Sequence, residues 1–234
     1  MSAAMEPTPP SSDGPGEGEA TLGWCAREVE EELPGLRLHS AEVLSRRKGS
    51  PVGDSPPDIH ERLREISSRF RGARAVGVRR EPVPSAYRLF FRQIGLDPDV
   101  TRTPIEAAVL ERMLRGGFPT GGLIEDVLLI ALVDTAVPVW AFDAERVDGP
   151  LGIRPSREGE QLGRSGQGPV LPANRLVVAD ASSALAVLFG ELGPGHAPSG
   201  RTRRLTLFAV QVAGVPTLYV EEALWTCRSA LEIA

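Results

Sequence analysis

The order of local signals constrains this chain most: helix signals crowd the sequence up to Pro138, and strand signals follow it. Just before that proline, LIEDVLLIALV is apolar almost all round, which is the pattern of a buried helix rather than a surface one. Behind Pro138 come PVWAFD, LGIRPS, RLVVAD, ALAVLFG and RRLTLFAVQVA. These are β-branched or apolar runs cut by Gly, Pro and Asn, and they read as strands. Upstream, LGWC and LRLHSAEVL read as strands around a short helix over Glu28 to Leu33. Asp58 with Glu61 forms a capping-box pattern opening a helix to Gly72. Ser85 is placed to cap AYRLFFRQI, closed by Gly95. Thr103-Pro104-Ile105-Glu106 supplies an N-cap, a proline at N1 and an acid at N3. The helix it opens carries Ile105, Val109, Leu110, Met113 and Leu114 on one face and ends at Gly116-Gly117. A last helix, YVEEALWTCRSALEI, aligns Ala223, Leu224, Cys227 and Leu231. Segregated rather than alternating elements predict an α+β fold, a helical first half packed on a strand-rich, sandwich-like second half.

Length and composition narrow the reading. A chain of 234 residues is long enough for one full domain. Residues 1–20 are Pro, Gly, Ser and Glu with almost no large apolar side chain, so they cannot offset their ordering entropy and are expected to be disordered. That leaves 21–234 as the domain. No apolar run approaches the ~18 residues of a membrane span. The N-terminus lacks the basic start and apolar core of a signal peptide. The expectation is a cytoplasmic protein. Cys25 and Cys227 are too few for a disulfide scaffold and read as two thiols in a reducing compartment. His39, His60 and His196 are scattered, so neither a metal nor a cofactor is expected.

A net charge of -5 argues against indiscriminate nucleic-acid binding. The segment from Arg62 to Arg92 is nevertheless basic, with nine arginines against Glu61, Glu65 and Glu81. It reads either as a phosphate-facing surface or as codon bias, since Lys48 is the sole lysine.

Candidate chemistry competes with plain structure at each motif. GGFPTGG lacks the Lys-Ser/Thr of a phosphate loop and lies between two helices, where a turn is the simpler reading. His196 with Ser199 suggests a dyad, but a Gly/Pro-rich loop positions groups poorly. Asp126 and Asp143 could share acid–base work, although their spacing favours a buried helix contact and a turn-starting aspartate. Arg154 and Glu160 fit a ligand contact or a strand end equally well. Trp140 is a large aromatic in a strand, and core packing usually explains that.

From Gly121 to Glu160 the chain resembles the editing domain of bacterial phenylalanyl-tRNA synthetase beta chains. GGLIEDVLLIALVDTAVPVWAFD keeps Asp126, Pro138, Ala141, Phe142 and Asp143 of that family's pattern, and GPLGIRPSREGE keeps Gly149, Ile153, Arg154, Gly159 and Glu160. RLVVADASSALAVLFGE resembles a later strand pair, with Asp180 and Gly190. RTRRLTLFAVQV resembles the next strand, opened by Thr202. The likeness covers about residues 21–234, most specifically 83–213, and implies a free-standing editing-like domain.

The resemblance implies an α+β fold, tRNA or aminoacyl-tRNA as partner, and a site that in the synthetase hydrolyses tyrosine misattached to the phenylalanine tRNA. The pocket histidine of the family falls on Trp140, its asparagine on Leu129, and its acidic hydroxyl-recognising residue on Phe208. Asp126 and Gly190 complete the candidate substrate pocket, while Arg88 and Arg154 are the candidate tRNA contacts. An indole cannot titrate or orient water as an imidazole does. An apolar pocket cannot discriminate a hydroxyl the way a hydrogen-bonding one can. The leading expectation is therefore a tRNA- or aminoacyl-ligand-binding homologue without the editing hydrolysis. A trans-acting aminoacyl-tRNA deacylase using other residues is the second, and a protein-interaction module on the same scaffold is the third.

Overall fold

The computed structural model describes residues 20–46, 50–70, 75, 77–164 and 166–232. The tail expected to be disordered falls, up to residue 19, outside the described residues, as do Arg71 and Arg74. Six helices and two four-stranded sheets are described: α1 (Arg27–Glu32), α2 (Pro57–Arg69), α3 (Pro82–Gln93), α4 (Pro104–Arg115), α5 (Leu123–Thr135) and α6 (Thr217–Glu232), with β1 (Thr21–Leu22), β2 (Trp24–Cys25), β3 (Arg37–Leu44), β4 (Val139–Asp143), β5 (Gly152–Pro155), β6 (Leu176–Ala179), β7 (Ala184–Val187) and β8 (Arg204–Gln211). This is the expected α+β architecture. Among the described residues no helix is long and apolar enough to cross a membrane.

One sheet has the order β1-β3-β8-β4, antiparallel throughout. The other has the order β2-β5-β6-β7, with β2 parallel to β5 and the rest antiparallel. The chain passes from the first sheet to the second at Gly23, where any Cβ would collide with the Leu151 carbonyl. Alternation along β4 and β8 puts Trp140, Phe142 and Phe208 on the face toward the second sheet. Val139, Ala141, Leu207 and Ala209 take the opposite face, beneath α6. Gln211 of β8 ties that face to the start of α6 through Val215 O (2.8 Å) and Thr217 Oγ1 (3.1 Å). α5 packs on α6 and α2. Its all-round apolar pattern is explained by burial of Leu123, Ile124, Val127, Ile130, Ala131 and Val133. Tyr87, Phe91, Phe142 and Ile66 are among the side chains sealed in the main core.

Three helix starts and faces differ from expectation, each for a physical reason. α2 begins at Pro57 with Pro56 as N-cap, so Asp58 lies in the first turn rather than capping it. α3 begins at Pro82, three residues before Ser85. Both prolines of its first turn occupy positions whose N–H has no helical partner, so they start the helix instead of preventing it. On α4, Ile105 and Val109 are buried, but Met113 and Leu114 are exposed, Leu114 by 78%. The helix runs past the edge of the core there. The Thr103 box is present: Thr103 N and Oγ1 both donate to Glu106 Oε2, at 3.3 and 2.7 Å.

Candidate functional site

The residues singled out by the resemblance fall into separate neighbourhoods. Trp140 and Phe208 are direct cross-strand partners, and their rings stack with centroids 5.5 Å apart and planes 15° apart. Phe142 extends the stack on the other side of Phe208, at 4.7 Å and 21°. Phe189, next to Gly190, meets Trp140 edge-on at 5.5 Å. Tyr87, Phe90 and Phe91 of α3 surround Phe189 at 5.7, 5.7 and 5.3 Å. The place expected for a pocket is thus filled by a continuous aromatic stack. Each such pair adds about 0.5–1.5 kcal/mol beyond its buried area.

Phe189 was not apparent from the sequence, yet it is the hinge of this arrangement. Its backbone is left-handed, with φ of +56°, a conformation that costs a bulky residue about 1–3 kcal/mol. The surrounding rings hold it there. The exposed Gly190 beside it has no Cβ to press on Val187. The readable signal was the aromatic spacing Tyr87, Phe90, Phe91, one helical face aimed at a common point.

The stack offers little proton chemistry. The Tyr87 hydroxyl donates to Val210 O at 2.8 Å, and burial pushes its pKa up. His196 lies edge-on to Phe142, at 6.3 Å between centroids. Its Nδ1 donates to Arg146 O at 3.1 Å. Burial lowers its pKa, outweighing that hydrogen bond, and nearby Arg164 lowers it further. The ring is therefore neutral at pH 7. Ser199 does not pair with it. Ser199 Oγ lies 3.3 Å from Thr202 Oγ1, which donates to Asp143 Oδ2 at 2.6 Å. The suggested His196–Ser199 dyad is not assembled, and its members serve to close the loop onto β4.

The other candidates are engaged elsewhere. Leu129 is half-buried on α5, in the helical layer. Asp126 is 1% exposed and accepts from Ser55 Oγ (2.5 Å) and Gly121 N (2.8 Å). Its partners differ from those of Asp143, so the two aspartates do not act as a pair. Arg88 is clamped between Asp99 (2.7 Å) and Glu106 (2.6 Å). Arg154 donates to both carboxylate oxygens of Glu160, one at 2.8 Å. A phosphate reaching either arginine would have to displace a carboxylate. Beside the stack, buried Asp180 accepts from the amides of Asp148, Ser182 and Ser183 and from Arg164. Burial alone would raise the Asp180 pKa, but these donors outweigh it and hold it below the usual aspartate value.

Two open clefts lie away from the stack. One, of about 510 Å³, lies between α2 and α4 and is lined by His60, Arg64, Ser67, Arg112 and Thr120 among others. The second, of about 770 Å³, lies beside α1 and the end of α3, with Glu28, Glu32, Gln93 and Arg175 at its edge. Among the described residues, no group of three or more His, Cys, Asp or Glu is placed to hold a metal. Cys25 and Cys227 are free, and burial raises both thiol pKa values.

Sequence comparison identifies relatives of the chain. No family model matches the chain. The phenylalanine–tRNA ligase beta subunit of Legionella pneumophila is 31% identical over 175 residues, 72% of this chain. Those of Xanthomonas axonopodis pv. citri and Xanthomonas campestris pv. campestris are 36% and 38% identical over 94 and 101 residues, 40% and 42% of it. The chain is a homologue of a domain of phenylalanine–tRNA ligase beta subunits. The matches span 20% of the Legionella subunit and 12% of the Xanthomonas subunits. What this beta-subunit homologue shares with them is therefore one segment of a much longer protein. The aromatic stack is a property of its own side chains.

Proposed function

We propose that this beta-subunit homologue binds tRNA, or the aminoacyl end of a charged tRNA, without hydrolysing the ester. One observation carries the reading. Trp140 and Phe208 stack on each other where the resemblance puts an imidazole and an acid. Ester hydrolysis needs a group that accepts a proton from water near neutral pH, within hydrogen-bond reach of the carbonyl. The rings that meet Trp140 are Phe189 and Phe208, neither of which can do so. The relatives' name includes tRNA, which supports tRNA as the partner and, with it, a cytoplasmic location.

The test pairs two measurements on the full chain. Binding of unacylated tRNA is followed across a salt series. Release of amino acid is followed from phenylalanine tRNA mischarged with tyrosine and from several other mischarged tRNAs. The expected result is salt-dependent binding with ester loss no faster than in buffer. Enzymatic release of the amino acid by the unaltered chain, or no tRNA binding at low salt, would overturn the reading.

A further inference from the structure

We propose that the cleft between α2 and α4 is a phosphate-binding site, gripped by Arg64 and Arg112. The occupant, RNA backbone, rests on the tRNA reading above; the phosphate chemistry rests on the cleft alone.

The two faces of α2 treat their arginines differently. Arg62 and Arg69 turn toward α5 and share Asp134, at 2.7 and 3.7 Å. Arg64 turns into the cleft. Its Nε donates to His60 O at 3.3 Å. Across the cleft, Arg112 of α4 does the same to Ser67 O at 3.2 Å. Each guanidinium is thus fixed by its Nε to a backbone carbonyl. Among the described residues, no protein acceptor meets the terminal nitrogens of either. Those nitrogens form the planar fork that suits phosphate oxygens.

The rest of the lining agrees. Among the described residues, no aspartate or glutamate lines this cleft. Two acids on the same helices are paired, Glu65 with Arg62 at 3.4 Å and Glu111 with Arg115 at 2.9 Å, and Glu61, one turn before Arg64, is not part of the lining. Ser67 and Thr120 line the same space, as do Gly116, at φ +78°, and Gly117. Ser67 Oγ lies 3.8 Å from where a Gly117 Cβ would be, so the two sides of the floor are in ordinary contact distance. His60 stands at the rim, its side chain 39% exposed. Behind it Asp126 Oδ2 lies 3.9 Å from Nε2.

Inorganic phosphate and unacylated tRNA serve as probes on the full chain. Phosphate should shift the His60 ring resonances in the NMR spectrum, and the shift should vanish in Arg64→Gln/Arg112→Gln. tRNA affinity should fall about tenfold or more in that double variant, with the slope of log affinity against log salt reduced by about 2, one per lost phosphate contact. Arg64→Lys/Arg112→Lys, which keeps the charge, should recover part of the affinity, while Arg204→Gln, remote from the cleft, should change neither readout. Phosphate response without tRNA binding would uphold the cleft and sink the tRNA reading. tRNA binding unaffected by the double variant, or a His60 signal indifferent to phosphate, would overturn the cleft.

Discussion

The middle of the sandwich and the α2–α4 cleft are opposites. In the middle, aromatic rings close on one another, and the polar groups around them, Tyr87, Asp180 and Thr202, each have a partner in hand. In the cleft, two guanidiniums are held by their Nε, and among the described residues no protein acceptor meets their outer nitrogens. A buried polar group without a partner costs about 1–3 kcal/mol, so a core must satisfy all of its own. A surface cleft is under no such demand, because water satisfies what the protein does not. Stability accordingly resides in the first region, and capacity for a ligand remains in the second.

The largest effect that follows is on stability. Phe208→Ala would remove the ring that Trp140 and Phe142 both stack against, at a residue 2% exposed. Truncating a buried phenylalanine costs about 3–5 kcal/mol, and chemical denaturation should show a loss in that range. Binding of phosphate in the cleft should persist under conditions where the variant is still folded. A loss below about 1 kcal/mol would mean that the rings are not close-packed and that the stack is an open pocket after all.

A second effect separates the two regions by pH. Burial holds the folded pKa of His196 below its usual 6.5, so the native state prefers the neutral ring. The stability this represents is complete above pH 6.5 and drains away as pH falls through the lower folded value. Asp180 and Glu160 also have lowered pKa values. Their contribution is complete above the ordinary carboxylate range and is lost only in stronger acid. For Glu160 the chief cause is the Arg154 hydrogen bond. Unfolding free energy followed from pH 8 to pH 3 should therefore fall in two stages. His196→Phe should remove the first stage and keep the second. A single stage in the unaltered protein would mean that the imidazole is hydrated.

The same contrast explains what the sequence disclosed. Periodicity and caps placed α4, α5, α6 and most strands close to their observed limits, because these signals are local and written in consecutive residues. The start of α3 was hidden by Pro82 and Pro84, which break helices in the interior and open them at the first turn. Which residues meet around Trp140 was legible in part: the resemblance assigns Trp140 and Phe208 to one pocket, but their cross-strand register and the insertion of Phe189 on a left-handed backbone are set by the fold. Charge was the least legible. The resemblance picks out Arg88 and Arg154, while nothing in the sequence singles out Arg64 or Arg112. Only the positions of Asp99, Glu106 and Glu160 reveal which guanidiniums are already committed.

The smallest effect concerns two arginines two residues apart. Arg62 pairs with Asp134 across to α5, and its hydrogen bond to that carboxylate is the main reason its pKa is raised. Its side chain is 39% exposed, so the pair is screened and worth at most about 1 kcal/mol. Arg62→Gln should lower the denaturation midpoint slightly and leave tRNA affinity where it was. Arg64→Gln should do the reverse, because its guanidinium has no carboxylate to lose and only an incoming phosphate to miss. If tRNA affinity fell equally in both variants, the two sides of α2 would be electrostatically equivalent. Binding would then follow the summed charge of the helix rather than the placement of one side chain in the cleft.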